Sequence, residues 1–109
     1  MTEPIKELAQ LDRLVHAPSR LAILTALMAC ERADFAYLLN ITGLTKGNLS
    51  ANLSRLEGAG LVTIEKELVG KVVHTTVCLT SEGRDAIAAY WERLERVKQG
   101  VVRWQPQSV

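Results

Sequence analysis

Apolar positions recur every three or four residues over most of the chain, then switch once to alternation before returning to helical spacing. Ile5, Leu8, Leu11 and Val15 share one face, with Lys6, Glu7, Asp12 and Arg13 elsewhere, which predicts a first helix from Ile5 to about Val15. Pro18 sits where a new helix would open its first turn. A second helix, Ser19 to Glu31, is expected to bury Leu21, Leu24, Leu27 and Met28. A third, Phe35 to Thr42, carries Leu38, Leu39 and Ile41 and ends at Gly43. The fourth has clear start and stop signals. Thr45 occupies an N-cap position, Leu44 can pack on Leu49, and Leu49, Leu53 and Leu56 form the buried stripe. Gly60 stands where a left-handed residue ends a helix, with Leu61 placed to fold back on Leu56.

From Leu61 to Leu68 the period becomes two, with Val62, Ile64 and Leu68 on one side and Thr63, Glu65 and Glu67 on the other. Gly70 marks a hairpin tip, with Lys66, Lys71 and His74 near it, and Val73, Thr75, Val77 and Leu79 make the returning strand. Thr80 then caps a last helix to about Gln99, whose stripe is Ile87, Tyr90, Trp91, Leu94, Val97 and Val101. The tail over 100–109, with Trp104 and Pro106, is expected to be loosely held. A two-stranded hairpin is not stable alone, so it must pack on the helices. The third and fourth helices are joined by a short turn containing glycine, as a helix-turn-helix requires. The fold class is therefore mainly α with a small β-hairpin wing. A three-helix core over 18–79 is flanked by an N-terminal helix (1–17) and a C-terminal helix (80–99), in one domain spanning 1–109.

The outward face of the fourth helix carries Gly47, Asn48, Ser50, Ala51, Ser54 and Arg55. These groups are small or hydrogen-bonding, with one fork-shaped cation, and such a face can approach base edges in a major groove. An ordinary surface helix would more often show Glu–Lys pairs there.

Four segments, in this order and spacing, are similar to the winged helix-turn-helix regulators of the MarR and ArsR type. They are Pro18-Ser-Arg-Leu-Ala-Ile-Leu24, Gly43-Leu-Thr-Lys-Gly-Asn-Leu-Ser50, Leu53-Ser-Arg-Leu-Glu-Gly-Ala-Gly-Leu-Val62 and Leu79-Thr-Ser-Glu-Gly-Arg84. The resemblance implies a homodimer on duplex DNA, with the helix after the turn in the major groove and the wing at the backbone or minor groove. Carried over position by position, it implies DNA contacts from Thr45, Lys46, Gly47, Asn48, Ser50, Ala51, Ser54 and Arg55; Lys71 and His74, near the wing tip, are further DNA-contact candidates by their place in the hairpin. Lys46 and the Thr45 hydroxyl are expected on phosphate, and Asn48, Ser50 and Arg55 on base edges or nearby phosphates. Arg20, in the first turn of the second helix, is expected either on a phosphate or in a solvated or ion-paired role.

The wing departs from the family pattern. Relatives tend to carry a run such as Gly-Arg-Lys-Pro-Arg-Thr-Thr, whereas this chain has Gly70-Lys-Val-Val-His-Thr-Thr76. The net charge is only +1, from 13 basic and 12 acidic residues. Between Leu44 and Cys78 the charges are Lys46, Arg55, Lys66 and Lys71 against Glu57, Glu65 and Glu67, which predicts a shallow salt dependence of DNA binding.

The apolar faces of the first and last helices predict pairing between two subunits through Ile5, Leu8, Leu11, Tyr90, Trp91, Leu94 and Val97. Such a twofold dimer suits a palindromic operator. A small-molecule effector is a further expected partner, though no residue identifies it. Cys30 and Cys78 lack metal-ligand spacing and read as reduced thiols, so no metal and no cofactor is expected. No catalytic constellation appears, and enzyme activity is not expected. The absence of a long apolar run or secretory pattern predicts a cytoplasmic protein with no membrane contact. The leading function is a sequence-specific DNA-binding transcriptional regulator, expected to be a repressor. The alternatives are a winged-helix module that binds protein rather than DNA, and a ligand- or redox-responsive sensor.

Overall fold

A computed structural model describes residues 4–103. The order is α1 (Pro4–Ala9), α2 (Pro18–Cys30), β1 (Arg32–Asp34), α3 (Phe35–Thr42), α4 (Lys46–Gly58), β2 (Val62–Val69), β3 (Val72–Leu79) and α5 (Ser81–Arg103). This is a winged helix. The stripes of α2, α4 and α5 meet the inner face of the sheet in one core that includes Ile23, Leu24, Leu27, Leu38, Leu49, Leu53, Leu56, Val77 and Ile87. Truncating a buried leucine of this kind costs about 2–5 kcal/mol.

The first helix is shorter than its apolar spacing predicts. It stops at Ala9, and Asp12 then offers the backbone a local alternative by accepting from Leu14 N–H at 2.9 Å. Ala17 is extended because Pro18 follows it. Leu11 and Val15 still reach the core, from turns instead of helix. In α2 the buried residues are Ile23, Leu24 and Leu27, while Met28 faces solvent at 44% exposure.

The sheet has three strands, ordered β1-β3-β2, where the sequence predicts only two. Arg32, Ala33 and Asp34 pair with Cys78, Val77 and Thr76, and Ala33 alone points inward. Three residues are too few to show a period. Between β2 and β3 the register runs from Val62↔Leu79 to Val69↔Val72. Gly70 and Lys71 close a two-residue loop in which Gly70 has φ 63, as a Gly-first hairpin turn requires. The hairpin projects past the core, so Leu68, Val69, Val72 and Val73 are all more than half exposed.

The last helix extends past Gln99 to Arg103, so 100–103 are helical, while Trp104 and Pro106 lie outside the described residues. Its start is fixed by Thr80, whose hydroxyl accepts from Gly83 N–H at 2.9 Å and donates to Gly60 O at 2.7 Å. Thr80 thus joins the end of α4 to the beginning of α5.

The first helix folds back onto α5 of the same chain. Glu7 pairs with Arg93 at 3.4 Å, and a Cβ on Gly100 would come within 2.9 Å of Pro4. Leu11, Tyr90 and Val97 are therefore covered by their own chain and corrected from the expected subunit face. Tyr90 is held further by His16 Nδ1, 2.6 Å from its hydroxyl, and Trp91 donates from Nε1 to Thr25 Oγ1 at 3.2 Å. Ile5 and Leu8 remain exposed, and Trp91 and Leu94 are partly so.

Candidate nucleic-acid interface

The fourth helix is capped at both ends as its residues predict. Thr45 Oγ1 accepts from Asn48 N–H at 3.1 Å, and Thr45 O accepts from Leu49 N–H at 2.9 Å. At the other end Leu61 N–H donates to Leu56 O and Gly60 N–H to Glu57 O, both at 3.0 Å, with Gly60 at φ 78. That pair of bonds is the Schellman arrangement, and it folds the buried Leu61 back toward the helix it ends.

Burial of Leu49, Leu53 and Leu56 turns the opposite face of α4 to solvent. Thr45, Lys46, Gly47, Asn48, Ser50, Ala51, Ser54 and Arg55 are all exposed. The chain therefore brings all eight α4 candidates onto one open ridge. At its start, the N–H groups of Lys46 and Gly47 have no backbone acceptor among the described residues. A helix N-terminus with free N–H groups favours an anion, and the Lys46 ammonium adds to that field.

The wing contributes unequally. Alternation along β2 and β3 puts Ile64, Lys66, Leu68, Val73 and Thr75 on the core-side face, and Glu65, Glu67, Val69, Val72, His74 and Thr76 on the other. Lys66 and Thr75 line a groove with Ser50, Leu53, Ser54 and Phe35 beside the α4 ridge. Lys66 thus joins the ridge, although the sequence-based candidate set omits it. His74 does not, because it stands across from Glu67 on the far face. Lys71 lies at the exposed hairpin tip, away from this groove.

Asn52 escapes a sequence reading, and Arg20 takes neither the phosphate-facing nor the ion-paired role expected of it. Asn52 is half-buried beneath the ridge and donates to Asn48 O at 2.9 Å and to Asn48 Oδ1. Arg20 turns inward: Nε donates to Leu14 O at 2.6 Å and Nη1 to Asn52 Oδ1 at 3.2 Å. It holds the residues before α2 against α4, and its guanidinium forms no ion pair among the described residues. The Asn48–Asn52 spacing of four was the only signal in the sequence.

A second concavity lies away from the ridge. Pro18, Leu21, Ala22, Thr25, Ala26, Ile41, Thr42 and Trp91 line an apolar, open pocket between α2, α3 and α5. Among the described residues no group of His, Cys, Asp and Glu could hold a metal ion. Cys30 and Cys78 are free, and no helix is long and apolar enough to cross a membrane among the same residues.

The family described as a winged helix DNA-binding domain matches residues 19–97. An uncharacterized protein of Methanocaldococcus jannaschii is 33% identical over 78 residues, which are 72% of this chain and 85% of that one. The structure of a transcriptional regulator homologue from Pyrococcus horikoshii OT3 superposes with a TM-score of 0.81 at 28% identity, covering 92% of this chain and 98% of the other. At 22% identity the likeness is one of fold: the PcaV transcriptional regulator from Streptomyces coelicolor, solved with its natural ligand, gives a TM-score of 0.71 over 90% of this chain and 68% of its own. The two solved neighbours are a transcriptional regulator homologue and a transcriptional regulator. The chain belongs to the winged helix DNA-binding domain family, and its fold is that of the MarR-type transcriptional regulators.

Proposed function

We propose that this chain is a sequence-specific regulator that binds a palindromic duplex operator as a homodimer and represses by occluding a promoter. The observation that carries the reading is the α4 ridge. Its eight polar or small residues are exposed, on a helix capped at both ends by its own residues. Lys46 and Thr45 are assigned to phosphate; Asn48, Ser50 and Arg55 are assigned to base edges or adjoining phosphates.

Dimerisation is assigned to the end where α1 lies on α5. Ile5, Leu8, Val101 and Val102 are exposed there by 41–74%, a cluster of apolar groups that a second copy would cover. Trp91 and Leu94 remain candidates at its border. The test is selection of bound duplexes from a random pool. The expected product is a consensus of two inverted half-sites about 10 base pairs apart, or a multiple of that, centre to centre. Recovery of no enriched sequence from a folded dimer would refute the proposal.

The apolar pocket beside Trp91 favours a second element, control by a small-molecule effector. The Streptomyces coelicolor regulator is solved with its ligand, and here the lining residues come from α2, α3 and α5. Occupancy would act by favouring one spacing of the two reading helices over another. A protein-binding role is the competing reading, favoured by the exposed apolar wing tip. It predicts no competition-resistant duplex binding at low salt.

A further inference from the structure

We infer that Arg20 and Asn52 form a relay that fixes which end of the Asn48 carboxamide meets a bound duplex, and thereby which base it rejects. The inference rests on the DNA-binding reading above. It begins with polarity. A guanidinium has donors and no acceptor. Arg20 is anchored by Nε on Leu14 O at 2.6 Å and by Nη2 toward Arg13 O at 3.4 Å, and it directs Nη1 at Asn52 from 3.2 Å. Asn52 must answer with its oxygen. Its Nδ2 is then turned the other way, where it donates to Asn48 O at 2.9 Å and to Asn48 Oδ1. Asn48 must therefore turn its own oxygen back along the helix. Its Nδ2 is left outward, with no acceptor among the described residues, on the third residue of an exposed reading helix. One donor-only group at the start of α2 thus sets the direction of every bond up to the ridge.

The consequence is chemical. An unconstrained asparagine reads adenine with both ends, its oxygen accepting from N6 and its nitrogen donating to N7. With the oxygen engaged by Asn52, Asn48 presents a donor. In the major groove guanine offers N7 and O6, adenine N7 beside its N6 amino donor, and thymine O4, so each has an acceptor, whereas cytosine offers only the N4 amino donor. Two donors facing each other in a dehydrated contact leave both unpaired, which is the expensive case. Asn48 is thus a discriminator against cytosine at one position of each half-site, and Asn52 and Arg20 are its positioning residues.

Asn52→Asp tests this directly. Aspartate keeps the size of asparagine and still accepts from Arg20, but it cannot donate to Asn48. It draws the Asn48 nitrogen inward instead and turns the oxygen out. Competition binding should use the selected duplex and its single-base variants, with wild type, Asn48→Ala, Asn52→Asp and Asn52→Leu. In wild type, cytosine at one position is expected to cost about tenfold or more in affinity relative to guanine. Asn48→Ala and Asn52→Leu should flatten that ratio, and Asn52→Asp should lower it to unity or invert it in favour of cytosine. The added negative charge weakens all duplexes alike and cancels in the ratio. A merely structural role for Asn52 would lower the melting midpoint and every affinity together, leaving the ratio intact.

The free protein gives a second readout. The Asn48 side-chain amide resonances should shift in Asn52→Asp without DNA present. A consensus whose base preferences are identical in wild type and Asn52→Asp overturns the relay while leaving DNA binding intact. A wild type that enriches no duplex overturns DNA binding, and the base preference falls with it.

Discussion

Gly83→Ala tests the joint between the reading helix and the rest of the fold. Gly83 is buried in the first turn of α5, where a Cβ would lie 2.0 Å from Leu61 O and 2.8 Å from Leu79 Cδ1. The nearer atom is backbone, so no rotamer change relieves the overlap. Leu61 O also accepts from Thr80 N–H at 3.1 Å, and Leu61 itself completes the C-terminal turn of α4. To admit the methyl group the two segments must separate by about an ångström, which strains or breaks that bond. Overpacking of this kind costs about 1–3 kcal/mol or more, and a lost hydrogen bond about 1 kcal/mol. The better helix propensity of alanine returns at most about 1 kcal/mol. The net loss is about 1–3 kcal/mol or more, or a melting point lower by about 4–12 °C or more for a chain of this size. Gly47→Ala is the control, because nothing lies within 4 Å of its Cβ position and φ is ordinary. It should leave the melting point unchanged or raise it slightly. Calorimetry on both variants is the assay. A melting point for Gly83→Ala within 3 °C of wild type, as an order-of-magnitude threshold, would refute the argument that α5 and Leu61 are locked in contact.

The remaining predictions concern charge, assembly and pH. If each subunit uses Lys46, Arg55, Lys66 and Lys71 on phosphate, log Kd against log salt should have a slope no steeper than about 3.6 per subunit, by fluorescence anisotropy over roughly a sixfold range of salt, about 50 to 300 mM. A much steeper slope would show that cations outside α4 and the wing bind DNA. Leu8→Asp, at a site 41% exposed, should dissociate the dimer with little loss of monomer stability, as sedimentation velocity would report. A variant that remains dimeric moves the interface elsewhere. Burial pushes the Tyr90 hydroxyl above its usual pKa of 10.0, so the folded state holds that proton more tightly than the unfolded one. The resulting stability is complete below about pH 10 and is lost as pH rises through the folded value. Denaturant titrations from pH 8 to 11.5 (roughly spanning that range) should fall more steeply for wild type than for Tyr90→Phe; parallel curves would contradict the assignment.

Legibility in the sequence followed the range of the forces involved. The ends of α4 could be read because a cap is local: Thr45 to Asn48 is three residues, and Gly60 lies next to the helix it terminates. The exposed ridge followed from its leucine stripe for the same reason. The first helix was overextended because the apolar spacing of Leu11 and Val15 survives in a chain of turns that also buries them. Nothing in the spacing registers that Asp12 captures Leu14 N–H. The third strand was invisible because its pairing is nonlocal: Arg32 meets Cys78 across 46 positions of sequence. Tyr90 and Val97 were misplaced because amphipathicity shows that a face is buried without showing whether α1 of the same chain or a second chain covers it.

The same distinction explains why the site was read only in its outer layer. Spacing reveals which α4 residues face outward, and the structure leaves all eight exposed. What orients them is the inner layer, where Arg20 and Asn52 meet across 32 positions. With a net charge of +1 and an apolar wing tip, this chain has few cations to spend on nonspecific attraction. On the proposed reading, discrimination between operators then rests on hydrogen-bond direction at the ridge. Direction is useful only if the groups are held, since a freely rotating carboxamide fits either of two complementary base edges. A weakly charged reader therefore needs a fixed amide more than a strongly cationic one does, and in the proposed relay the donor-only guanidinium behind Asn52 supplies that constraint, from a residue whose sequence position suits a phosphate contact or a solvated or ion-paired role equally.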